Sequence, residues 1–190
     1  MEAASTFHAD VSDRDQVAAA FDEAIGLYGK IDIVINAGAT STFAPLEAIT
    51  TDDLEKAIAI NVRGAFNVLQ EAAVRTADGG RIVQFSTGGT KMPVAGGSVY
   101  SGTKSAGENF ALGLSKELGS RQITVNVISP GVTDTDGLVM PEEQVKMLIG
   151  QTPLGRLGQP EDIADVVMFL VSHEGRWING QNIQANGGIL

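Results

Sequence analysis

The feature that most constrains this chain is its alternation between short β-branched runs and longer stretches with helical periodicity. Ile31-Asp32-Ile33-Val34-Ile35 ends in Asn-Ala-Gly, Arg81-Ile82-Val83-Gln84-Phe85 follows Gly79-Gly80, and Ile123-Thr124-Val125-Asn126-Val127-Ile128 precedes Pro130-Gly131. Such runs, bounded by small residues, read as strands buried on both faces. Thr6 to Asp10 is a weaker candidate for a first strand and Gln181 to Ala185 for a last. The intervening segments predict helices: Asp13 to Leu27 capped by Ser12; one opening at Thr50-Thr51-Asp52-Asp53 with Leu54, Ile58, Val62, Ala65 and Leu69 on one face; Tyr100 to Leu118; and one opening at Pro160-Glu161-Asp162. This order predicts a single α/β domain over residues 1–190, a parallel sheet with helices on both faces. Val132 to Thr152 reads as a long loop with a short helix near Glu143 to Ile149, the kind of insertion that covers an active site.

Composition removes several function classes. There is no Cys, so disulfides, thiolate metal sites and cysteine nucleophiles are absent together. The net charge of −10 argues against nucleic acid or an anionic membrane as a partner. The two His, His8 and His173, are far apart and have no ligand-type neighbour at helical spacing, so no metal site is expected. No apolar run approaches membrane-spanning length, and the start MEAASTFHADVSD lacks a basic then apolar leader; a cytosolic location is expected.

In open α/β sheets, ligands sit beyond the carboxyl ends of the strands. That rule groups Asn36-Ala37-Gly38, Ser86-Thr87-Gly88 and Pro130-Gly131 on one rim. Beside it, Tyr100 and Lys104 stand at i,i+4, which puts a phenol and an ammonium on the same helix face. A strand ending at Ser86 and a helix opening at Tyr100 can direct a hydroxyl, a phenol and an ammonium at one point.

Taken together, Asn36-Ala37-Gly38, Asn61-Val62, Ser86 before Tyr100-x-x-x-Lys104, Pro130-Gly131 with Thr135, the run Gly155 to Ala164 and the closing Asn186-Gly187-Gly188 resemble the short-chain dehydrogenases/reductases. The piece Val99 to Lys104, with Ser86 fourteen positions before Tyr100, is most similar to the branch containing the fungal naphthol reductases. Other branches use a spacing shorter by one, which points to Thr87 instead of Ser86.

The resemblance implies a Rossmann-like three-layer αβα fold, an NADP(H) or NAD(H) cofactor, and interconversion of a ketone or aldehyde with an alcohol. It also implies a dimer or tetramer built through the helices at Thr51 to Arg75 and Tyr100 to Leu118, the last helix and the last strand. Tyr100 would exchange a proton with the substrate oxygen; Lys104 would favour the phenolate and hold the nicotinamide ribose; Ser86 would hydrogen-bond the carbonyl oxygen. Asn61 would anchor a water leading from Lys104 to solvent, or would be a solvated helix residue. Asn36, Ala37 and Gly38 would line the adenosine side, Asp10 and Val11 the adenine, and Pro130, Gly131 and Thr135 the nicotinamide carboxamide. Asn-Ala-Gly also serves as a tight turn after a strand, and Pro-Gly as a loop stop.

The chain departs from this family at its start. The strand, Gly-x-x-x-Gly-x-Gly turn and helix that receive the pyrophosphate are absent, as is the second strand that reads the ribose 2′ position. The expectation is a sheet lacking its first βαβ unit, with an apolar edge at Ile31 to Ile35 covered by the strand near Phe7, by a partner chain or by a longer parent. The run into Asn36 is also one residue shorter than is usual, and a one-residue slip reverses which side chains face inward. Two readings follow: a carbonyl reductase acting on a cyclic or aromatic substrate, or a non-catalytic remnant that binds an intact homologue. A hydrolase built on Ser86 lacks a base beside it.

Overall fold

The computed structural model describes residues 4–138 and 140–190. Its elements in chain order are α1 (Arg14–Tyr28), β1 (Ile31–Asn36), α2 (Thr51–Ala57), a π-helical segment (Ile58–Gly64), α3 (Ala65–Arg75), β2 (Thr76–Phe85), α4 (Ser98–Glu117), β3 (Thr124–Pro130), α5 (Glu142–Gln151), α6 (Pro160–Val171) and β4 (Asn182–Ala185). The four strands are parallel, in the order β1-β2-β3-β4.

The first two helices start where the sequence supplies an oxygen for their free N–H groups. Asp13 accepts from the amides of Asp15 and Gln16 at the start of α1, and Thr50 with Asp53 forms a reciprocal capping box at the start of α2. The cap of α1 is therefore Asp13 rather than Ser12, whose amide and hydroxyl are bonded to the Asp10 carboxylate, each at 2.8 Å. Pro160 occupies the first turn of α6, where its missing N–H costs nothing.

The sheet separates two apolar layers. On one face Val34, Ile82, Val125 and Val127 pack against Leu69, Ala72, Ala111 and Leu114 of α3 and α4, with Phe21 of α1 at the margin. On the other, Val83 and Ile128 pack against Ile163, Val167 and Leu170 of α6. Ile82, Val125, Val127 and Ile128 have no exposed surface; each contributes roughly 1.5–3 kcal/mol of burial.

Residues 4–10 form no strand, so the first-strand expectation for Thr6 to Asp10 fails. The carboxylate and amide of Asp10 are drawn into local contacts with Ser12 and Gln16, and Phe7 is exposed. Among the described residues β1 pairs only with β2, and its other edge is free. On β1, Val34 and Asn36 point inward while Ile33 and Ile35 remain 44% and 47% exposed on the α6 side, because α6 lies over β2, β3 and β4 and does not reach them.

The helix through residues 51–75 also differs from its expected face. The buried positions are Ala57, Asn61, Gly64, Ala65, Asn67, Leu69, Glu71 and Ala72, so Ala65 and Leu69 face inward as expected, whereas Leu54 is 38% exposed. The π segment adds a residue to its turn and rotates the upstream half out of phase with the downstream half.

Candidate active site

Chain geometry at the carboxyl end of the sheet brings the ends of three strands and two helices around one cavity of about 650 Å³. The ends of β1 and β2 contribute Ile35, Ala37, Phe85, Ser86 and Thr87; α4 contributes Tyr100 and Lys104; Pro130, Gly131 and Thr135 lie on the far wall, with Ile163 and Val167 of α6 below. A smaller cavity of about 230 Å³ shares Gly131, Thr133 and Ile163 with it and runs past Thr152 and Leu154, but contains none of the hydroxyl, phenol or ammonium groups. The segment 132–152 includes position 139, which lies outside the described residues; its helix is α5.

Lys104 is 4% exposed, and among the described residues no carboxylate pairs with it. Burial pushes its ammonium down to about 8. Burial pushes the Tyr100 phenol up, and the hydroxyl of Thr87 pulls it partly back. The removal of water dominates both groups. Phe43 lies against the Tyr100 ring, centroids 5.2 Å apart, and a backbone bond from Ala44 to Gly96 ties its loop to the one before α4. The short turn after Thr87 fits closely on α4: a Cβ on Gly89 would come within 2.8 Å of Ser101 Oγ.

Ser86 and Thr87 both line the cavity but make different bonds. The Ser86 hydroxyl donates to Glu108 Oε2 at 3.2 Å, while Thr87 faces Tyr100 and accepts from the Gly89 amide at 3.2 Å. Glu108, 4% exposed, also accepts from Lys91 at 3.0 Å. Glu108 was not among the expected residues, although Tyr100, Lys104 and Glu108 recur every fourth position along one face of α4.

Other expected residues stand outside the cavity. Asn61 is buried, and its amide clamps the Thr40 backbone by donating to its carbonyl and accepting from its N–H, both at 2.8 Å, while also donating to Thr103 at 3.0 Å. It is not a solvated helix residue, and both N–H groups of its amide are taken. Asn36 is spent on a buried 2.8 Å bond to Gln84. Gly38 and Val11 adjoin one another at the end of β1; Asn67 holds the Val11 carbonyl at 2.9 Å, and a Cβ on Gly64 would collide with the Val11 side chain. Asp10 is exposed and occupied by Ser12.

A nicotinamide fits the cavity at one end only. Lys104 offers a desolvated cation with no protein carboxylate, beside Pro130, Gly131 and Thr135. Nothing comparable awaits a pyrophosphate among the described residues. At the start of α1 two amides are taken by Asp13, and Asp15 carries the wrong charge for a phosphate. No helix of the described residues is long and apolar enough to cross a membrane.

Comparison with known proteins supplies the context for this geometry. A family model described as enoyl-(acyl carrier protein) reductase matches residues 1–190. A short-chain dehydrogenase/reductase of Pestalotiopsis microspora is 38% identical over 199 residues, spanning 97% of this chain and 75% of the relative. A hydroxynaphthalene reductase-like protein of Metarhizium brunneum is 36% identical over 195 residues, 95% of this chain and 73% of the relative. The crystal structure of an angucycline C-6 ketoreductase with bound NADP superimposes with a TM-score of 0.91 at 33% identity, covering 98% of this chain and 75% of that one.

Proposed function

Because this chain belongs to the short-chain dehydrogenase/reductase family, we propose that it is an NAD(P)(H)-dependent oxidoreductase interconverting a ketone or aldehyde with an alcohol, Tyr100 being its general acid/base. The observation that carries this reading is the shared cavity of Thr87, Tyr100 and Lys104, in which the ammonium is desolvated and unpaired with any protein carboxylate. The NADP bound by the similar ketoreductase supports the cofactor class.

When bound, the nicotinamide supplies the hydride. The chain supplies the rest. Burial keeps the Tyr100 phenol protonated at neutral pH, the form that gives a proton to a carbonyl oxygen as charge develops there. Thr87 donates a hydrogen bond to the same oxygen; the bond from Ser86 to Glu108 favours Thr87 over Ser86 for this task. Lys104 holds the nicotinamide ribose and restrains the phenolate left behind. Pro130, Gly131 and Thr135 flank the carboxamide. The apolar walls from Ile35, Phe85, Ile163 and Val167, with Phe43 over Tyr100, suit a cyclic or aromatic substrate.

Titration with NADPH and NADH, followed by nicotinamide fluorescence, tests the reading. Binding of either is expected; none up to millimolar concentration rejects it for this chain. Tyr100→Phe is expected to lower ketone reduction by about 100- to 10,000-fold while leaving cofactor affinity nearly unchanged. Retained turnover removes Tyr100 from its role.

The edge of β1, unpaired among the described residues, favours a second reading, a non-catalytic chain that binds an intact homologue. Self-association is also expected: Phe66 of α3 and Phe110 of α4 pack edge to face at 6.2 Å on the outer helix surface while 45% and 39% exposed. A stable monomer in size-exclusion chromatography contradicts that.

A further inference from the structure

The segment from Ser86 to Lys91 leaves the sheet, carries Thr87 past Tyr100 and turns back along α4. One carboxylate touches both of its ends. Glu108 accepts the Ser86 hydroxyl on Oε2 at 3.2 Å and the Lys91 ammonium on Oε1 at 3.0 Å. The segment has other ties: the Ser86 amide donates to the Ile128 carbonyl at 2.7 Å, and Gly89 lies tightly against Ser101. The first fixes the strand end; the second limits how close the turn can come. Neither draws the segment onto α4 as the doubly bonded carboxylate does.

Resting on the proposed oxidoreductase reading, we propose that Glu108 is a positioning residue: by clamping Ser86 and Lys91 to α4 it holds the Thr87 hydroxyl against the Tyr100 phenol. It touches neither substrate nor cofactor. Ser86 is part of the clamp, which explains why its hydroxyl turns away from the reacting centre. The carboxylate suits a clamp because it is acceptor-only and takes two donors at once. Burial pushes its carboxyl up, and the polar groups of Asn182, Lys91 and Thr90 more than reverse this, so it remains ionised at neutral pH.

The chain has two tyrosines, Tyr28 and Tyr100. Tyr28 sits in the last turn of α1 and bonds to Ser5, away from the cavity. Tyr28→Phe therefore leaves Tyr100 as the sole phenol, and its ionisation can be followed by the near-ultraviolet absorbance of the phenolate without cofactor or turnover. Lys104 is the only charged side chain lining its cavity among the described residues, so it is kept in every variant.

In this background Thr87→Val should raise the Tyr100 midpoint by about half a pH unit or more, since a bond that favours the phenolate is lost. Glu108→Gln should raise it in the same direction. That sign is diagnostic, because removing a nearby negative charge acts directly in the opposite direction, favouring the phenolate. Ser86→Ala, neutral and nearly isosteric, releases one end of the clamp and should also raise the midpoint, by less. If Glu108→Gln fails to fold, Ser86→Ala carries the test. A midpoint unchanged or lowered by Glu108→Gln, or by Ser86→Ala where the former is unfolded, overturns the proposal, as does a Thr87→Val variant that leaves it in place. Should the parent chain show no turnover while the midpoints move as described, the oxidoreductase reading fails and the clamp stands.

Discussion

The half of the sheet around β3 and the half around β1 are finished to different degrees. In β3 every side chain from Thr124 to Ser129 is buried, with α4 over one face and α6 over the other, and two of its three buried polar residues are paired: Asn126 donates to the Ile178 carbonyl at 2.8 Å and Ser129 to Asn182 at 2.8 Å, while the Thr124 hydroxyl has no partner among the described residues. In β1 burial alternates, Ile33 and Ile35 are left half exposed, and one edge has no partner among the described residues. The groups proposed for proton transfer are built on β2 and α4, inside the finished half. Those expected to meet the adenosine, at Asp10, Val11, Asn36 and Gly38, cluster by the unfinished one. The proposed chemistry and the expected grip on the cofactor thus fall on different halves of the sheet.

This contrast can be broken by unfolding measurements. The largest effect is expected from Ile128→Ala, which empties a fully buried site between β3 and α6 and should cost about 2–5 kcal/mol in urea unfolding. A loss under about 1 kcal/mol would mean the β3 half is loosely packed. Next comes Lys104→Met. A lysine whose folded pKa lies near 8, below its unfolded value of 10.5, carries its full burial cost below the folded pKa; the cost is relieved as pH rises between the two. The variant should therefore be more stable at pH 7, by roughly 2–3 kcal/mol, with the advantage shrinking above pH 8 and gone near 10.5. An advantage that does not change with pH would show that packing, not the buried charge, is responsible. The smallest effect belongs to Ile33→Thr, expected to stay within about 0.5 kcal/mol. A loss comparable to that of Ile128→Ala would show that the β1 face is covered in solution.

Sequence patterning conveyed the sheet well because β3 and the core of β2 are buried on both faces, and such strands have no polar side to confuse the signal. It conveyed Tyr100 and Lys104 because helical spacing alone places them together. It failed at Thr6 to Asp10, where an apolar-polar alternation is real but no strand among the described residues pairs with it, and strand formation is a property of the pair. The choice between Ser86 and Thr87 was open for a related reason. At the end of a strand the turn decides which hydroxyl faces which way, and here the buried carboxylate of Glu108 on another element takes the first of them. The tasks of Asn36 and Asn61 were equally hidden: both lie on polar ties between elements distant in sequence, to Gln84 and to Thr40.

The π-helical segment Ile58–Gly64 carries one more consequence. Its extra residue lets Asn61 point at Thr40 while Ala65 and Leu69 still meet the sheet, so the same rod serves two phases of contact. Shortening it by a single residue would yield a straighter, more regular rod whose two ends could no longer both be satisfied. The irregularity works like a vernier between the loop after β1 and the core, and local disorder in the winding is what permits order around it.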